Sequence, residues 1–69
     1  MLIAEKILNK LKESREDNGE PSYILIDRDS FLELKEYLEI PLYNKLTKYL
    51  GYFLYTVEVP YKILKLGYD

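Results

Sequence analysis

Apolar residues recur at helical spacing near the start of the chain. Ile3, Ile7, Leu8 and Leu11 share one face, with Leu2 and Ala4 beside it, while Glu5, Lys6, Lys10, Lys12 and Glu13 fall mostly on the other. This pattern predicts an amphipathic helix over residues 2–14. The polar run from Arg15 to Ser22 contains Asn18-Gly19 and Pro21 and reads as a surface loop. The five residues Tyr23-Ile24-Leu25-Ile26-Asp27 lack polar alternation, which predicts a short central strand buried on both faces.

A second helix is expected directly afterwards. Ser30 and Glu33 have capping-box spacing, Asp27 and Asp29 are alternative N-caps, and Phe31, Leu34 and Leu38 form the apolar stripe. Pro41 disfavours helical geometry in the residue before it and should stop this helix. Residues 41–50 suggest a third, short helix, with Pro41 in its first turn, Leu42, Leu46, Tyr49 and Leu50 on one face, and Gly51 just past its end.

Residues 52–59 are aromatic and β-branched, with Phe53, Tyr55, Val57 and Val59 alternating against Tyr52, Leu54, Thr56 and Glu58. Residues 61–66 form a further strand or the return arm of a hairpin, with Pro60 at the turn or on an edge. The expected order is α-β-α-α-β-β within a single domain spanning residues 1–69. The expected fold class is α+β, a small three-stranded sheet with two or three helices packed on one face.

Length and composition narrow the chemistry. At 69 residues the chain has room for one core, and a domain of this size buries only about 60% of the surface its unfolded chain exposes. The usual aids to such domains are disulfides, metals or self-association. There is no Cys and no His, so a disulfide is excluded and a transition-metal site is not expected. Self-association is left as the available aid. The acidic start, with Glu5, does not resemble a secretory leader, and the longest charge-free stretch, Tyr49 to Val57, has nine residues against the ~20 of a membrane helix. A cytoplasmic protein without membrane association is expected.

Catalysis needs a proton-transfer group or an activated nucleophile. Ser14, Ser22 and Ser30 have no imidazole to activate them, and the three glycines are isolated, so no phosphate-binding loop is present. The one acidic cluster, Asp27-Arg28-Asp29, could hold a hard cation, but helix capping accounts for it better. The loop acids Glu16, Asp17 and Glu20 lack calcium-loop spacing. The chain therefore reads as a non-enzyme without cofactor or metal.

Tyrosine is the unusual feature: there are eight, and six fall from Tyr43 onward. Charge is divided as well, with residues 1–39 at net −4 and residues 40–69 at net +2. A basic, tyrosine-rich half suits a macromolecular interface, because Tyr brings contact area and a hydrogen bond at low entropic cost. The segment from Tyr49 to Val57 would be a pairing hazard on an open edge, so it should be central, covered or paired across a subunit interface. The favoured reading is a protein-interaction module, as a homodimer, a partner complex or both, with Tyr49, Tyr52, Tyr55 and Tyr61 as contact residues beside Lys45, Lys48 and Lys62. The alternative is single-stranded nucleic-acid binding, in which aromatics stack on bases and lysines meet phosphates, with Lys45, Lys48, Lys62 and Lys65 interleaved among Tyr43, Tyr49, Tyr61 and Tyr68. Negative net charge and the scarcity of Arg weigh against it, and a helix-turn-helix over residues 29–50 offers only Asn44 among the Arg, Asn and Gln side chains that read base edges well in its second helix. Residues with AT-rich codons (Phe, Tyr, Met, Ile, Asn, Lys) number 28 against nine with GC-rich codons. That bias points to an AT-rich genome and, for so small a protein, to a phage or mobile-element accessory function in the host cytoplasm.

Overall fold

The computed structural model describes residues 2–68; Met1 and Asp69 lie outside it. Helix α1 spans Ile3–Asp17, strand β1 Tyr23–Asp27 and helix α2 Arg28–Tyr37. Strands β2 (Lys48–Tyr49), β3 (Tyr52–Val57) and β4 (Leu64–Gly67) follow. The architecture is α+β, with two helices and one mixed four-stranded sheet in the order β2-β3-β1-β4. The expected three strands become four because part of the expected third helix is strand.

The apolar stripe of α1 and the centre of α2 settle on one face of the sheet. Ile3, Ile7, Leu11 and Leu34 from the helices meet Ile24, Ile26 and Leu54 from the strands in one buried cluster. Strand residues alternate between faces, and Ile24 pairs with Leu54 in register, so the two central strands present the same parity to the helices. α1 runs three residues past its expected end because Ser14 is buried there. Its hydroxyl donates to Gly19 O at 2.7 Å and is also bonded to the Tyr68 hydroxyl, which joins the end of the helix to the end of the chain.

The expected helix over residues 41–50 does not form. The backbone instead makes a turn closed by Asn44 N–H to Pro41 O at 3.0 Å, and later pairs with β3 as β2. Two causes are visible. α2 ends before Pro41, at a left-handed Glu39 with φ 58°. There Ile40 N–H returns to Lys35 O at 2.9 Å and Glu39 N–H to Glu36 O at 3.1 Å, a Schellman stop without glycine. The Lys35 side chain, almost wholly buried, then donates from Nζ to Leu42 O at 2.9 Å and also to Asn44 O. Those carbonyls would have served a helix. Gly51 has the expected positive φ, +87°, but with Leu50 at φ 54° it makes the two-residue turn between β2 and β3.

The last strand is not a hairpin partner of β3. β1 lies parallel to β3 and antiparallel to β4, so residues 58–63 carry the chain past the end of β1 to its other side. Asp27 holds that crossing. Its carboxylate accepts Ser30 N–H at 3.0 Å and Ser30 Oγ–H at 2.7 Å, and also Ile63 N–H at 3.0 Å. One side chain thus caps α2 and fixes the entry to β4. β1 is central as expected, but it is not buried on both faces: Tyr23 and Leu25 are only half-buried, because both helices lie on the other side.

Candidate functional site: the uncovered sheet face

Both helices occupy one side of the sheet, which leaves the opposite side to the alternate strand residues. Register assembles them into two rows. Lys48 on β2 lies opposite Phe53 on β3, which lies opposite Tyr23 on β1, which lies opposite Gly67 on β4. In the next row Tyr55 on β3 lies opposite Leu25 on β1, which lies opposite Lys65 on β4. Three rings therefore sit on the two central strands, between a lysine on one margin and a lysine on the other.

The rings are ordered against each other. Tyr23 meets Tyr55 edge to face with centroids 5.5 Å apart, and Phe53 and Tyr55 are stacked at 6.4 Å with planes 21° apart. The Lys48 ammonium lies 4.8 Å from the Phe53 ring centroid, a cation–π contact. Tyr23 lies directly over Gly67, where a Cβ would come within 1.9 Å of the ring; glycine is required there for close approach. Phe53 and Tyr55 nevertheless remain 50% and 51% exposed. No carboxylate belongs to these two rows. Glu58, beyond the end of β3, is paired with Arg28 at 3.0 Å.

The sequence-expected contact residues divide between surfaces. Tyr55 and Lys48 are on the uncovered face. Tyr52 and Tyr49 have the opposite parity and turn toward the helices, where both pack against the core cluster. The Tyr52 hydroxyl donates to Glu20 Oε2 and accepts from Arg15 Nη2 at 3.1 Å, while Arg15 also meets Glu20 at 3.1 Å. This network closes the loop after α1. The Tyr52 hydrogen bond, more than the nearby guanidinium, holds the Glu20 carboxyl below its ordinary pKa, and the same hydroxyl raises that of Arg15. Burial, and then proximity to Tyr37, raises the pKa of Tyr49. Tyr61 and Lys62 are exposed on the crossing from β3 to β4, and Lys45 is exposed in the loop before β2. The structure does not gather these three with Tyr55.

Tyr23, Phe53 and Leu25 are face residues that the sequence did not single out, and Lys65 figured there only in the nucleic-acid alternative. The signal for Phe53 was present in its alternation with Leu54, in phase with Tyr55. Tyr23 and Lys65 join only through the β1–β3 and β1–β4 registers, which are tertiary.

The two acids of the Asp27-Arg28-Asp29 cluster are engaged differently. The Asp27 carboxylate is filled by its three donors, whereas Asp29 is exposed. Burial pushes the Asp27 carboxyl up, but the hydrogen bonds from Ile63 and Ser30 outweigh it and lower the pKa to about 2. Among the described residues, no group of three or more acidic side chains comes together that could hold a metal ion, and no helix is long and apolar enough to cross a membrane. Comparison with known protein families, curated proteins and solved structures finds no match.

Proposed function

We propose that this chain is a non-catalytic interaction module whose docking surface is the uncovered sheet face. One observation carries the reading. Three ordered rings stand half-exposed on the central strands, on the side that neither helix covers. Aromatic anchors on rigid elements are the residues that interfaces depend on most. The AT-rich codon bias supports a more specific form, an accessory protein of a phage or other mobile element that acts on a host macromolecule.

The competing account is that the rings merely shield β1. Unfolding in urea separates the two, using Phe53→Ser and Tyr55→Ser together. Rings serving as core cost about 3–5 kcal/mol each when truncated, whereas half-exposed rings that mainly touch one another cost about 1 kcal/mol. A combined loss below ~2 kcal/mol, with an unchanged m-value, supports a surface surplus to folding. A loss of core size overturns the reading.

Self-association is a second reading with its own observation. β2 covers only the first part of the outer edge of β3, at Tyr52 and Phe53, with one further bond from Leu54 N–H to Thr47 O at 2.9 Å. Beyond it Thr56 has the outward-facing parity, and β2 offers no residue opposite it. An open edge of this kind pairs readily with another strand. Light scattering coupled to size exclusion gives a mass of 8.3 kDa if that edge stays free, and twice that if it pairs.

A further inference from the structure

We infer that the uncovered face takes single-stranded nucleic acid, an inference that rests on the docking-face reading above. Charge complementarity is the first argument. The two rows of the face hold two lysines and no carboxylate, and the nearest acid along β3, Glu58, is neutralised by Arg28. A second copy of the same face would set lysines against rings and lysines with no acid to receive them, so self-packing leaves both charges unpaired. A polyanion with flat apolar groups complements every component of the face.

Ring placement is the second argument. Unpaired bases stack on aromatics carried by the central strands of a four-stranded sheet, two or three bases at a time, while cations beside the rings meet the backbone. Here Tyr23, Tyr55 and Phe53 form a continuous set across β1 and β3, with centroid spacings of 5.5 and 6.4 Å. Lys48 and Lys65 stand at opposite margins of that set in register, and the Lys48 ammonium, 4.8 Å from the Phe53 centroid, is within reach of a phosphate beside a stacked base. Stacking reads no base identity, and the face offers no Arg, Asn or Gln to read base edges. Binding is therefore expected to be weakly sequence-dependent. Net charge −2 does not oppose this placement, since residues 1–39 carry −4 and residues 40–69 carry +2.

The test is fluorescence anisotropy with labelled dT12, rU12 and a 12-base-pair DNA duplex, using the whole chain. Binding of either single strand in preference to the duplex is expected, and the tighter of dT12 and rU12 identifies the sugar preferred. Two phosphate contacts predict a salt slope near −1.4, or roughly a sevenfold loss of affinity between 50 and 200 mM salt. Phe53→Ser or Tyr55→Ser should each weaken binding by about 5- to 150-fold. Lys48→Gln with Lys65→Gln should flatten the salt slope, and Tyr37→Ser, on the helix layer, should leave affinity unchanged. Circular dichroism verifies that each variant is folded. No binding to any oligonucleotide at millimolar protein overturns the inference, as does binding that ignores both ring variants. Absent oligonucleotide binding together with a salt-resistant dimer that Tyr55→Ser dissociates also overturns it, yet retains the docking face. Core-sized destabilisation by the ring variants would instead remove the docking reading itself.

Discussion

Asp27 links three parts of the fold, and the linkage has a measurable pH signature. Its carboxylate accepts from Ser30 N–H, Ser30 Oγ–H and Ile63 N–H, and its pKa falls from 3.8 to about 2. A depressed folded-state pKa means the unfolded chain binds the proton more tightly. The stabilisation is complete above about pH 5 and is lost as pH falls toward the folded value. A shift of this size corresponds to about 2 kcal/mol, with roughly two thirds lost by pH 2.5. Against a total stability of about 3–10 kcal/mol for a chain of this length, the contribution is large. In Asp27→Asn the amide still fits and one oxygen still accepts, but nothing titrates. Urea unfolding followed by far-UV circular dichroism at pH 7, 5, 3.5 and 2.5 should find the parent more stable than Asp27→Asn at neutral pH. The gap should shrink by over 1 kcal/mol between pH 5 and 2.5. The other carboxylates titrate in both proteins, so the difference isolates Asp27. A gap that stays constant down to pH 2.5 would refute the assignment of these hydrogen bonds to the charged form.

Two further substitutions test how the loop after α2 is built. Lys35→Met keeps the buried stem but strips the Leu42 and Asn44 carbonyls of their donor; urea unfolding should report a loss of about 1–3 kcal/mol, with faster amide exchange confined to residues 38–47. Glu39→Gly relieves the left-handed backbone at φ 58° and should raise the unfolding free energy by about 0.5–1 kcal/mol, read as a higher urea midpoint with the m-value unchanged; a lower midpoint would contradict the Schellman assignment.

Elements whose evidence is local were legible in the sequence. β1 has the expected limits, because four consecutive large residues between Ser22 and the Asp27 cap admit little else. The apolar stripe of Ile3, Ile7 and Leu11 is the buried face of α1. The segment after Pro41 misled because Leu42, Leu46, Tyr49 and Leu50 do fit a helical face, yet Leu42 stands 72% exposed and Tyr43 88%. What decides that segment is the Lys35 ammonium, a tertiary donor that no periodicity reveals. The β4 placement is also non-local: a link of six residues containing Pro60-Tyr61 resembles a hairpin, and it is the bonds between Asp27 and Ile63 and the antiparallel pairing with β1 that carry the chain past β1. Half of the candidate site was readable as the Phe53–Tyr55–Val57 alternation. The other half, Tyr23 and Lys65, exists only once the registers are set.

The composition of the uncovered face is the strongest reason to look for function there. Among the described residues the two helices cover one side of the four-stranded sheet and no element covers the other. A face that only had to tolerate water would alternate small polar residues with charges of both signs. This one carries three rings, leaves Gly67 bare so that Tyr23 can lie across β4, and excludes acids while keeping a lysine at each margin. The fully buried apolar side chains Ile7, Leu11, Ile24, Ile26 and Leu34 all lie on the helix side, apart from these rings. Rings set on the two central strands suit the docking proposal, since side chains held before binding lose little entropy when a partner stacks on them.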